Sequence, residues 1–175
     1  MIVRSITNRW RSEQISWDEL WLTQAYLMSM RSRCSRDRVG AVIVNAQNEL
    51  VGAGYNGAAP TDQHDTGGWC RDWCERAKTY PRGQSAPANG YVDCPSSHAE
   101  INALLRRHGD LSGAAIYITA LPCYNCAKFI AACHSTDGLS RVVVPHDGLP
   151  AYREPDTVLG YLGDCGLQVD RIVVP

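Results

Sequence analysis

An α/β sandwich around a sheet of about five strands, at least partly parallel, is the fold this sequence predicts. Three observations predict it. Short apolar runs of strand length recur along the chain, helical periodicities alternate with them, and 175 residues suit one domain, 1–175, with a proper core. No repeat, low-complexity tract or clear boundary divides it.

Ser16 with Glu19 makes a capping box that opens a helix through about Arg31. Trp17, Trp21, Ala25 and Met28 fall on one face of it at helical spacing and are expected in the core. Residues 39–44 (VGAVIV) and 50–55 (LVGAGY) read as two strands, and the polar connector 45–49 suits a hairpin. A long irregular segment follows, 56–97, rich in Gly, Pro, Asp and Cys. A loop of that length in a compact domain is functional, disordered or held by something. His64, Cys70, Cys74 and Cys94 lie in it as potential ligands, so a metal staple is one way to hold it. From there the pattern is regular: helix over 98–107, strand over 115–119, helix over 123–133, strand over 141–144, helix over 155–165 and a last strand over 167–174.

A content of 45% hydrophobic and 20% charged residues is ordinary for a globular protein. The start, 1–17, is polar with Arg4, Arg9 and Arg11 and does not read as a signal peptide, and no stretch approaches membrane-spanning length. An intracellular, cytoplasmic setting is the expectation. There, eight cysteines are read as metal ligands, catalytic groups or buried thiols before a disulfide framework. The formal charge of −1 counts against general nucleic-acid binding. Arg31, Arg33, Arg36 and Arg38 are a local exception, read first as a solvated helix end and second as a hold for a phosphate or a partner subunit.

The chemistry concentrates in Ser97-His98-Ala99-Glu100 and Leu121-Pro122-Cys123-Tyr124-Asn125-Cys126. Together these match the H-x-E…P-C-x-x-C signature of zinc nucleobase deaminases. Cys123 and Cys126 lie three apart at the start of a helix, after Pro122, which suits a first helical turn. A helix N-terminus favours their thiolates, and His98 brings a third ligand from the neighbouring helix. Three protein ligands leave a catalytic zinc its fourth position, where water acquires a pKa of about 7. Glu100 is too near His98 along a helix to be a comfortable fourth ligand, and is assigned proton transfer instead. A closed zinc site would need a fourth strong ligand beside the motif, and a redox Cys pair would leave His98 and Glu100 without a purpose.

These residues, with VGAVIV at 39–44, GYNG at 54–57, HAEINA at 98–103 and PCYNCAK at 122–128, resemble the deoxycytidylate (dCMP) deaminases of the cytidine deaminase superfamily. The resemblance covers nearly the whole chain apart from 56–97 and the extreme N-terminus. It implies a three-layer α/β/α cytidine-deaminase-like sandwich with a central mixed five-stranded sheet. It also implies zinc-dependent hydrolysis of dCMP to dUMP and ammonia, feeding thymidylate synthesis. His98, Cys123 and Cys126 would hold the zinc and Glu100 would shuttle protons. Asn56 would contact the nucleotide, and the main chain near Ala99 the pyrimidine.

Many members of that family are hexamers activated by dCTP and inhibited by dTTP, with the GYNG loop near the effector site. A homo-oligomer, effector binding and Mg2+ accompanying a nucleoside triphosphate are therefore expected. The run Ala58-Ala59-Pro60-Thr61-Asp62 lacks the glycine usual after GYNG. Some members carry a second, structural zinc tied to this loop, with a cysteine from the end of the first helix. Cys34 occupies that place, and Cys70, Cys74 and Cys94 would complete a four-cysteine site, with His64 able to replace one thiol. Cys133 and Cys165 read as core thiols, and His108, His134 and His146 as structural. Arg106, Arg107 and Lys128 lie near the motifs, within reach of a 5′-phosphate or as surface charge. The alternatives are a deaminase of a modified dCMP or of a base in single-stranded nucleic acid, and a non-catalytic zinc-stabilised nucleotide-binding protein.

Overall fold

In the computed structural model, which describes residues 13–58, 68–81, 84, 94–147 and 155–173, strand β1 (Gly40–Val44) is buried along its whole length. A strand covered on both faces reads as a continuous apolar run, as this one does. β1 is flanked by β2 (Leu50–Tyr55) and β5 (Ala115–Ile118), both antiparallel to it; β6 (Arg141–Pro145) and β7 (Gln168–Ile172) then continue parallel to β5. The order β2-β1-β5-β6-β7 makes the mixed five-stranded sheet that was expected. A separate two-stranded ribbon pairs β3 (Gly57–Ala58) with β4 (Ser96–Ser97).

Alternation along the strands assigns the layers. Ala41, Ile43, Ile116, Ile118, Val142 and Val144 share one core with the helices α3 (Ala99–Leu105), α4 (Tyr124–Asp137) and α5 (Pro155–Asp164). Val42, Val44, Tyr117 and Val143 face Leu22 and Ala25 of helix α1 (Trp17–Ser29) on the opposite side. The molecule is therefore a three-layer α/β/α sandwich.

The capping box is present in both directions: Glu19 N–H donates to Ser16 Oγ at 3.2 Å, and Ser16 N–H donates to Glu19 Oε2 at 2.9 Å. One expectation fails on α1. Trp17 is 56% exposed and stacks on the partly buried Trp21, with centroids 5.9 Å apart, instead of entering the core. The reason is steric. The helix meets the sheet through Leu22, Ala25 and Ser29, so closely that a Cβ on Gly40 would lie 2.0 Å from the Ala25 carbonyl oxygen. Trp21 still packs partly buried against that core, while Trp17, in the first turn and two turns ahead of the Ala25 contact, stays outside it.

Helix α4 runs four residues past its expected end, to Asp137, because nothing between Cys133 and Gly138 breaks it. The other regular elements fall within one to two residues of their predicted ends, the ordinary scatter of helix and strand limits. The long segment is less irregular than its composition implies. It holds β3, a 3₁₀ turn at Cys70–Asp72, the short helix α2 (Glu75–Thr79) and β4. Arg36, half-buried, and Arg38, still exposed, both reach across to it. The Arg36 guanidinium donates to the carbonyls of Tyr80 and of Gln84, the latter at 2.5 Å, and Arg38 lies over the Trp69 ring at 5.5 Å. His64 and the run 59–62 lie outside the described residues. Among the described residues, no helix is long and apolar enough to cross a membrane.

Candidate active site

Two helices begin at one place. His98 is the N-cap of α3 and Cys123 the N-cap of α4, both with extended backbone angles. Neither side chain caps its own helix; the two meet each other instead. Pro122 precedes the N-cap and so lies two residues before the first helical residue, outside the first turn predicted for it. Cys126 is the third residue of α4, in its first turn, and buried.

His98 Nδ1 lies 3.4 Å from Cys123 Sγ and 3.3 Å from Cys126 Sγ, and the three ligand atoms all fall within 4.8 Å of one another. Zinc bonds of about 2.0–2.1 Å to nitrogen and 2.3 Å to sulfur at tetrahedral angles require N–S separations of roughly 3.5 Å. The trio fits that cation before any side chain moves. Glu100, in the first turn of α3 and 3% exposed, turns its carboxylate toward Cys126. A hydrogen bond from the Cys126 thiol holds Cys123 down at about 3, helped by His98 and opposed by burial. Cys126 is pushed up by that same bond, by burial and by Glu100. Zinc binds thiolate, so a bound dication would displace the proton that the Cys126 thiol carries in this bond.

A second cluster forms where the loop meets the end of α1. Cys34, Cys70, Cys74 and Cys94 line one cavity of about 30 Å³, room for a single ion or water. The thiols meet in pairs, Cys34 with Cys70 and Cys94 with Cys74, and do not gather three sulfurs within 4.8 Å of one another as the His98 trio gathers its ligand atoms. Main-chain N–H groups point at the sulfurs: Ser35 at Cys70 Sγ (3.1 Å), Arg36 and Asp37 at Cys34, and Ser96 at Cys94. Burial pushes Cys94 up to about 11 and raises Cys34 as well.

Other candidates are committed elsewhere. The Asn56 side chain accepts from Val39 N–H at 2.8 Å and donates to Asp37 O at 2.7 Å, pinning the end of β2. Arg107 pairs with Asp137 on α4 at 2.8 Å, and Lys128 sits over the Tyr124 ring at 5.0 Å. His134 Nδ1 meets the Leu139 carbonyl at 2.7 Å, while His146 pairs with exposed Asp147. Cys133 and Cys165 pack half-buried against the main core, as predicted. Sequence reasoning missed Asn102, whose Nδ2 donates to Tyr55 O at 2.8 Å. Its signal was the polar side chain, besides Glu100, that stands one turn after His98 in a helix otherwise made of Ala, Ile and Leu.

The cytidine and deoxycytidylate deaminase zinc-binding region matches residues 15–144. The chain belongs to that family. A deoxycytidylate deaminase of Mycobacterium phage D29 is 39% identical over 132 residues, covering 75% of this deaminase and 95% of the relative. The Homo sapiens deoxycytidylate deaminase is 34% identical over 122 residues, covering 69% and 61%. The solved dCMP deaminase from the cyanophage S-TIM5, in complex with dCMP and dUMP, superposes with a TM-score of 0.66 at 24% identity. It covers 91% of this chain and 99% of that one, and at that identity the likeness shows the fold. The family is zinc-binding, and the His98–Cys123–Cys126 trio is this deaminase's group of matching chemistry.

Proposed function

We propose that this deaminase hydrolyses dCMP to dUMP and ammonia, with His98, Cys123 and Cys126 holding zinc and Glu100 carrying protons. The observation that carries the reading is the meeting of one imidazole nitrogen and two sulfurs within 4.8 Å beside a buried carboxylate. Zinc supplies the positive charge that makes water nucleophilic near neutral pH. The Glu100 carboxylate takes one proton from the water as its oxygen bonds to C4 and delivers it to the pyrimidine N3; it then takes the second proton from the new C4 hydroxyl and gives it to the amino group, so that C4=O forms as the C4–N bond breaks and ammonia leaves. Burial of Glu100 keeps bulk water from exchanging with that proton. The start of α3 offers the Ala99 main chain to the pyrimidine. Asn56, already bound to Asp37 and Val39, meets the nucleotide through its second amide hydrogen.

The substrate name is supported by the names of the relatives, and a near-neutral charge disfavours a base in single-stranded nucleic acid. Activation by dCTP and inhibition by dTTP, with Mg2+ on the triphosphate and a hexameric, cytoplasmic enzyme, are supported by the family resemblance of the GYNG segment. Incubation with dCMP, CMP, deoxycytidine, dCTP, 5-substituted dCMP and a cytosine-containing single strand tests the reading. Ammonia from dCMP is the expected result; release from the oligonucleotide alone overturns it.

A second zinc at Cys34, Cys70, Cys74 and Cys94 is supported by the four sulfurs on one ion-sized cavity and by the N–H groups aimed at three of them. Such donors stabilise thiolate, the form zinc requires, against the burial that raises Cys34 and Cys94. Two zinc ions per chain in fully loaded protein is the expected metal analysis.

A further inference from the structure

α3 has seven residues, fewer than two turns, too short to hold itself in place. Its position must come from what it rests on. Beneath it is Gly54 of β2, where a Cβ would lie 2.4 Å from both Ala99 O and Ala103 N and 2.8 Å from Asn102 C. The helix backbone therefore lies directly on the strand backbone, and any side chain at Gly54 would lift it.

One polar link fixes the helix along the strand. Asn102 Nδ2 donates to Tyr55 O at 2.8 Å, while Asn102 N–H donates to His98 O at 3.0 Å. Asn102 thus joins the last residue of β2 to the residue that begins α3. Tyr55 is itself held in register opposite Gly40, and Ser97, just before His98, pairs with Gly57.

We infer that Asn102, seated over Gly54, is a positioning residue that sets where His98 and Glu100 stand relative to Cys123 and Cys126. The inference rests on the proposed zinc-dependent deamination. Sliding or lifting α3 by a fraction of an ångström moves the imidazole and the carboxylate together, while both sulfurs stay on α4. A 1 Å misplacement of reacting groups costs about 10²-fold in turnover, so a fraction of that shift is expected to cost about 10-fold.

The test compares Asn102→Ala and Asn102→Asp, the second keeping the shape but losing the donor, with the unaltered protein. Four quantities are read: metal content, thermal midpoint, the visible spectrum of the Co2+-substituted protein, and kcat and KM for dCMP. The expected result is folded, metal-loaded protein with kcat lowered about 10-fold or more, KM changed little and the Co2+ bands shifted. Unaltered kcat and an unaltered Co2+ spectrum at full metal content overturn the inference, even if the thermal midpoint falls. Should Asn102→Ala not fold, Asn102→Asp decides by the same readings. If the unaltered protein releases no ammonia from dCMP, the deaminase reading fails, and the Co2+ spectra still report whether Asn102 positions His98.

Discussion

His98 and Cys123 occupy equivalent positions, each the N-cap of its own helix, with His98 Nδ1 3.4 Å from Cys123 Sγ. A helix start is where side chains can leave the regular face spacing, so two helices can aim ligands at one point. It also resolves the relation of His98 to Glu100. His98 leaves from an extended residue outside the helix, and Glu100 from within the first turn, so both face the site without sharing a helical face.

Metal removal follows directly from this geometry. Dialysis against a strong chelator is expected to abolish ammonia release and Zn2+ to restore it. Cys123→Ala is expected to lose the catalytic metal with a modest change in thermal midpoint, since the α3–α4 layer rests on a large apolar core. Undiminished turnover by metal-free protein would refute the zinc assignment.

Glu100 separates binding from chemistry. Glu100→Ala is expected to retain zinc and dCMP affinity while kcat falls by about 10²–10⁴, the ordinary worth of a positioned proton carrier. Equal turnover in variant and unaltered protein, measured by ammonia release at several pH values, would remove Glu100 from the mechanism.

The strands were legible because burial on both faces leaves near-continuous apolar runs such as VGAVIV, and the meeting of His98, Cys123 and Cys126 because their spacing is itself chemical information. Trp17 was misread because helical periodicity shows which residues share a face, not how close the partner comes; the contact of Gly40 with Ala25 is a tertiary fact. The strapping of the loop by Arg36 and Arg38 was hidden for a related reason. Their partners are main-chain carbonyls and an indole more than 30 residues away, which no local pattern announces. Asn102 looked like a polar residue in a helix; its partner, Tyr55 O, lies 47 positions earlier.

The loop cysteines invite a stoichiometric prediction. Cys70→Ser is expected to lower zinc from two to one per chain and to lower the thermal midpoint, because Cys70 joins the 3₁₀ turn to Ser35 at the end of α1. One zinc per chain in both proteins would reject the second site and leave ordinary buried thiols.

The α1 layer is joined to the sheet by charge as well as by packing. Arg141 on β6 holds Asp18 through two bonds of 2.8 Å and Asp170 of β7 through a third of 2.5 Å, while Tyr117 O–H donates to Asp18 at 2.8 Å. Arg141 and Asp18 are a quarter to a third exposed, between the solvent-screened and the fully buried cases, so removing one partner should cost about 2 kcal/mol. The Arg141 hydrogen bonds hold the Asp18 carboxyl below its ordinary 3.8, against the opposing effect of burial. A carboxyl depressed on folding contributes stability that is present above about 3.8 and is lost as the pH falls through its lower folded value. Asp18→Asn is therefore expected to lower the thermal midpoint at pH 7 by about 4–8 °C. The gap should narrow below pH 4 as the unaltered protein protonates Asp18. Denaturation scans from pH 3 to pH 7 would check this, and a gap constant across that range would show that the carboxylate's charge is not what ties α1 to β6.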